Sequence, residues 1–167
     1  MRAMKRLICY KAHPFTGGAS IATLLFVVLG LALPSSAALG GTLDSVQADQ
    51  SQMKANLSTR HAAAYTIYEL QAPNQLTVRE YVSSEGRVFG VAWQGPFFPD
   101  MQQILGDYFA AYRTGVEEFK RANAGRRPLN IQQPGLVAQT AGHMRAYAGR
   151  MYDPDLVPSG VDVTVIH

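Results

Sequence analysis

The sequence predicts an α+β domain: an N-terminal helix, a three-stranded antiparallel meander, one long amphipathic helix, then a further antiparallel hairpin. Three observations carry this. Apolar residues recur at helical spacing from Met101 to Phe119. Three runs rich in β-branched and aromatic residues lie between Tyr65 and Trp93, separated by short turn sequences. No interdomain linker, repeat or low-complexity segment interrupts the chain after its first 38 residues, so one domain over residues 39–167 is expected.

Those first residues read differently. Arg2, Lys5, Arg6 and Lys11 precede the uncharged run Ile21 to Leu33, and "PSSAALGG" follows. A basic start, an apolar stretch and small residues form the pattern of a secretory signal peptide over residues 1–38, cleaved near Ala37 or Ala38. The alternative is a retained anchor. The run of 13 residues is short of the roughly 20 that span a bilayer, and Pro34 ends it. A periplasmic or secreted protein is the expectation. The only cysteine, Cys9, lies in the leader, so the mature chain has no thiol for a disulfide, a nucleophile or a metal.

Removing the leader also removes the basic balance. Eleven Lys and Arg then face twelve Asp and Glu, a net charge of −1. Nucleic-acid binding needs a clustered basic face, and none is expected; "GRRP" (Gly125 to Pro128) reads as a solvated loop.

The mature chain opens with Thr42, whose hydroxyl suits an N-cap. Leu43, Val46, Met53 and Leu57 then share a helical face, with Asp44 and Asp49 towards the positive end of the helix dipole. A helix from Leu43 to about Leu57 follows. Asn56-Leu57-Ser58 also matches a glycosylation sequon, a pattern common by chance.

"YTIYEL" (Tyr65 to Leu70), "LTVREYV" (Leu76 to Val82) and "RVFGVAW" (Arg87 to Trp93) are runs of strand length. Pro73-Asn74 and Ser84-Glu85-Gly86 separate them as tight turns, which makes neighbours antiparallel. Strict alternation puts Leu76, Val78, Glu80 and Val82 on one face and Thr77, Arg79 and Tyr81 on the other. It likewise groups Phe89, Val91 and Trp93, with Val88, Gly90 and Ala92 opposite, leaving one dry side and one mixed side.

Gly95-Pro96 and Pro99 end the third strand. Asp100 can cap the next helix, with Gln103 completing a capping-box-like pair. The helix is expected from Met101 to about Arg121, weakened at Gly106 and Gly115, where a small residue lets a neighbour approach. "LNIQQ", "LVAQTAG" and "MRAYAGRMY" read as further strands, with turns at Pro134-Gly135 and Gly142-His143. Alternating Val161, Val163 and Val165 suit a last edge strand or a strapped tail.

Several of these segments together, "REYV", "VFGVAWQGP", "PDMQQILGDYF" and "GHMRAYAGRMYDPDLVPSGV", resemble the domain-of-unknown-function 2844 family of small exported bacterial proteins. The resemblance spans nearly all of the mature chain. It implies export and a single domain, and it carries over no catalytic residue.

The residues themselves offer little catalytic machinery. His61, His143 and His167 match no metal-ligand spacing, and no cofactor motif is present. No G-x-S-x-G nucleophile elbow occurs. His143 with Asp100 or Asp107 is an imaginable base pair, and Glu69 with Glu80 an imaginable carboxylate pair across the first hairpin. Arg79, Arg87 and Arg145 are simpler partners for those glutamates.

Aromatic binding is better supplied. Phe97 and Phe98 sit between two prolines beside Trp93, so one ring can turn inward while its neighbour turns outward. The sequence therefore points to an exported, non-enzymatic binding or accessory domain, whose partner is an envelope protein, a peptide or a glycan. The candidate residues are Trp93, Phe97, Phe98, Arg79, Tyr81, His143 and Arg145. The alternative is a small cofactor-free hydrolase using His143 or the Glu69/Glu80 pair.

Overall fold

In the computed structural model, which describes residues 38–123 and 128–167, the strand-length runs join into one seven-stranded antiparallel sheet of order β1-β2-β3-β4-β7-β6-β5. The leader up to residue 37 and most of the "GRRP" loop lie outside the described residues. Helix α1 (Leu43–Met53) is followed by β1 (Asn56–His61), β2 (Tyr65–Gln71), β3 (Thr77–Ser83) and β4 (Val88–Gly95). Then come α2 (Met101–Leu105), a 3-10 turn (Gly106–Tyr108), α3 (Phe109–Ala122), β5 (Leu129–Gln133), β6 (Leu136–His143) and β7 (Ala146–Tyr152).

The α+β class holds, but the sheet is larger than a three-stranded meander with a separate hairpin. Two corrections account for it. The first helix stops at Met53, because Lys54 turns left-handed (φ 51°) and its N–H returns to Gln50 and Ser51. Asn56 to His61 then pair residue by residue with β2, which adds a fourth strand to the meander. The C-terminal strands number three, and β7 pairs directly with β4, so both halves share one sheet. The turn before β7 falls at His143–Ala146 rather than Gly142-His143, with Arg145 left-handed at φ 65°.

The expected long helix is interrupted. Gly106 adopts φ 48°, ψ −115°, a conformation open to glycine, and the helix restarts at Phe109. Asp100 caps α2 as its position suggests, accepting from the Gln102 and Gln103 N–H groups at 2.9 and 3.2 Å. The Gln103 side chain does not close a capping box; it reaches Asp49 on α1 at 2.7 Å. At the start of α1, the Thr42 hydroxyl makes no capping bond; instead the Ser45 hydroxyl donates to the Thr42 carbonyl at 2.6 Å.

Both faces of the sheet are covered in part. On one, α1, α2 and α3 close a core containing Val46, Leu70, Val78, Val91, Trp93, Ile104 and Met151. On the other, the segment after β7 folds back over Tyr81, Phe89 and Ala92 as a strapped tail without a strand. Strict alternation in β4 fails here for a local reason. Val82 pairs with Val88 but Tyr81 with Gly90, so Phe89 is the extra residue of a β-bulge. Phe89 therefore packs beneath the tail, while Val88, Val91 and Trp93 face the helices. Gly90 also faces the tail, where a Cβ would lie 2.7 Å from Ile166.

A buried acid pair ties α1 and α2 to the sheet. Glu80 on β3 and Asp49 on α1 are both fully buried on the helix side. Neither Glu80 oxygen meets a donor from another group. Burial first, and the neighbouring Asp49 second, push the Glu80 carboxyl well above its ordinary value of 4.5. Glu80 is thus a neutral donor to Asp49, which also accepts from Gln103.

Two outcomes are expected. A Cβ at Gly115 would overlap Ile131 on β5, so Gly115→Leu should destabilise the fold by about 1–3 kcal/mol in urea unfolding. Because the folded-state pKa of Glu80 is raised, its contribution is full below about pH 4.5 and is lost as pH climbs towards that raised value. Glu80→Gln keeps a donor without a titrating proton, so its melting temperature should fall less than the wild type's as pH is raised above about 4.5.

Candidate functional site

The tail that follows β7 is held at its far end by two residues from β3. The Tyr81 hydroxyl donates to the His167 carbonyl at 3.0 Å and accepts from the His167 N–H at 3.1 Å. Arg79 Nη1 donates to the same carbonyl at 3.0 Å. Tyr65, Tyr81 and Phe89 cluster beneath the tail, with ring centroids 5.9–6.2 Å apart. Burial raises the Tyr81 phenol above its ordinary range, so the hydroxyl stays protonated and able to clamp the chain.

Pairing aligns a polar row across this face: Glu69, Arg79, Ala92, Arg150, Gln139 and Asn130. The next row carries Gln94, Ala148 and Ala141. The tail occupies the face over Tyr81, Phe89 and Ala92 and leaves much of β5, β6 and β7 uncovered. Between its end, at Ile166 and His167, and the exposed part of these rows lies a groove of about 630 Å³. That is within the range of small-molecule sites, roughly 300–1,000 Å³. Its floor is small and apolar at Ala141, Ala148 and Gly149, and side-chain amides rise from Gln94, Asn130 and Gln139.

The two groove arginines differ. Arg79 Nε meets Glu69 Oε2 at 2.7 Å, and this hydrogen bond is the first cause of the lowered Glu69 carboxyl. Arg150 Nε instead donates to the neutral Gln139 Oε1 at 2.7 Å, and its Nη1 to the Val163 carbonyl at 3.3 Å. Among the described residues no carboxylate pairs with it.

Of the sequence candidates, Arg79 lines the groove and Trp93 borders it while its indole packs on the helix side of the sheet, and Tyr81 anchors its wall. Phe97 and Phe98 do not line it. They leave the sheet at the end where Gly95, Tyr147 and Gly142 are in register. Phe98 lies against Trp93 (4.9 Å between centroids) and Tyr147 (4.7 Å) yet stays 50% exposed, and Phe97 is 58% exposed. Both rings therefore reach solvent. Trp93 itself is buried, with Gly149 opposite it; a Cβ there would come within 2.7 Å of the indole nitrogen. His143 and Arg145 are exposed on the β6–β7 turn with Met144, and the His143 ring reaches the Met144 carbonyl at 3.3 Å.

The Glu69/Glu80 pair does not come together. Glu69 stands opposite Arg79 and Glu80 opposite Tyr68, so the two glutamates project from opposite faces of the sheet. Glu80 pairs with Asp49 instead, in a sealed interior. No group of three or more His, Cys, Asp or Glu is arranged to hold a metal ion among the described residues.

Arg150, Gln139, Gln94 and Asn130 went unnoticed in the sequence. Alternation in "AYAGRMY" puts Ala148 and Arg150 on one face, but only the pairing of β7 between β4 and β6 brings them beside Gln139 and Gln94.

No curated protein and no solved structure matches the chain. One family model does, that of the proteins of unknown function DUF2844, over residues 35–166. That span takes in every described strand, the groove as far as Ile166 and the aromatic corner, and the chain belongs to the DUF2844 family.

Proposed function

We propose that this protein is an exported, non-enzymatic binding domain whose ligand lies in the groove beside the C-terminal tail. The observation that carries the reading is the groove itself: a concave site with an apolar floor, amide walls and an arginine that makes no direct salt bridge among the described residues. Such a site offers hydrogen bonds and positive charge to a ligand, which is the chemistry of retention. The basic and apolar leader supports export. Cleavage after Ala37 would retain Ala38, which packs in the helix-side core.

A second surface favours contact with an envelope protein. Phe97, Phe98 and Met144 are exposed by half or more at one end of the sheet, and apolar side chains grouped in this way mark association sites.

Two outcomes test the reading. Expressed with its leader in a bacterial host, the protein should be recovered from the periplasm or medium with a mass that begins at Ala38 or Leu39. Full-length mass in the membrane fraction would count against export. In a thermal-shift screen of metabolite-sized compounds, the wild type should gain several degrees with at least one class. Ala148→Phe, which fills the groove from an exposed position, should gain nothing with the same compounds; an equal gain would place the ligand elsewhere.

A further inference from the structure

We infer that the ligand of the groove is a small organic carboxylate with an apolar, amide-bearing body, and that Arg150 receives its carboxylate. This rests on the groove being the binding site.

The argument starts from charge. Within its row, Arg150 stands between Ala92 on β4 and Gln139 on β6, so neither neighbour can neutralise it. Its two hydrogen bonds both go to neutral oxygens, Gln139 Oε1 and the Val163 carbonyl. Asp162, on the same stretch of tail, lies near enough for its charge to act on Arg150, but it is exposed, makes no direct salt bridge with the guanidinium, and its Oδ1 accepts from the Thr164 N–H at 2.8 Å. A guanidinium has five N–H donors, and among the described residues those on Nη2 have no protein acceptor. Nη2 therefore offers charge-assisted hydrogen bonds of the kind that hold a carboxylate.

The count of charges also limits the class. Arg79, the other cation lining the groove, is already neutralised by Glu69 at 2.7 Å. Among the described residues Arg150 is then the groove cation without a directly bonded carboxylate, which favours a monoanion over a phosphate dianion that would bring excess negative charge into a partly buried site. A volume of about 630 Å³ is far larger than a carboxylate group, so the ligand has a body. Ala141, Ala148 and Ile166 offer apolar contact. Gln94 and Asn130 present amides that both donate and accept, which suits an amide bond in the ligand. An N-acylated amino acid has all of these parts.

The test compares N-acetyl-L-phenylalanine with N-acetyl-L-phenylalaninamide, which differ in the charge of one end only. Each is titrated into the wild-type protein and followed by amide chemical shifts and calorimetry. The acid should bind at least about tenfold more tightly than the amide, with shifts centred on β6, β7 and Ile166, and the gap should narrow at high salt. Arg150→Met should bring the two to equal affinity, and Ala148→Phe should abolish both. Equal binding of acid and amide by the wild type, abolished by Ala148→Phe, would overturn the carboxylate and leave the groove standing. If neither compound binds, or if Ala148→Phe still binds the acid normally, the groove reading falls with it. The wild-type comparison needs no substitution, so a variant that loosens the Arg150–Val163 bond cannot decide the outcome.

Discussion

Strand β4 sets the terms for the rest of the molecule, because it is buried on both faces. Every residue from Val88 to Trp93 is inaccessible or nearly so. An antiparallel sheet normally tolerates one wet face; a central strand reading Val-Phe-Gly-Val-Ala-Trp does not. The helices cover Val88, Val91 and Trp93, and the other side must be closed by something else. The tail after β7 does this with Leu156, Val157, Val161, Val163, Val165 and Ile166. The bulge at Phe89 and the missing side chain at Gly90 are what let Ile166 sit flush against the sheet. Removing the tail from water and covering β4 are one event, and the His167 clamp on Tyr81 and Arg79 closes it.

The groove is a by-product of the same requirement. The tail covers the region around Tyr81, Phe89 and Ala92, where the sheet is apolar, and stops before β5 and β6, where Asn130 and Gln139 make the surface polar. Its end therefore becomes a wall with open sheet beside it. Arg150 serves both structures: one of its hydrogen bonds holds the tail at Val163, and the same residue lines the site. Ligand contact and tail stability share that side chain, so the tail is the segment through which binding would be felt elsewhere in the fold.

The helix side uses polar chemistry differently. Glu80 occupies an inward position between Val78 and Val82, where a branched aliphatic residue would be expected. Held neutral, it offers Asp49 a donor and so fixes the position of α1 against β3, while Gln103 attaches α2 to the same carboxylate. A neutral, hydrogen-bonded carboxyl is affordable in a core where an ionised one is not. Tyr108 makes a comparable link at the other end of the helix layer, donating to Asp153 at 2.6 Å, with burial raising its pKa to about 12.

The sequence alone determined the local elements whose causes are local. Glycine and Pro-Asn turns, the Asp100 cap and the apolar period of α3 each act within a few residues, so the strands from Tyr65 to Trp93 and the capped helix start were legible. Strand β1 was not, because "NLSTRH" is almost wholly exposed and exists as a strand through its pairing with β2. The facing of Phe89 was misread because a bulge is a property of two strands in register. The candidate site divided in the same way. Arg79, Tyr81 and Trp93 stood out by residue type, but their roles came from contacts made across the chain. Arg79 meets Glu69 ten residues away and His167 eighty-eight residues away. Arg150 and Gln139 became a site only when β7 inserted between β4 and β6, since a groove is made by surfaces that sequence order keeps apart.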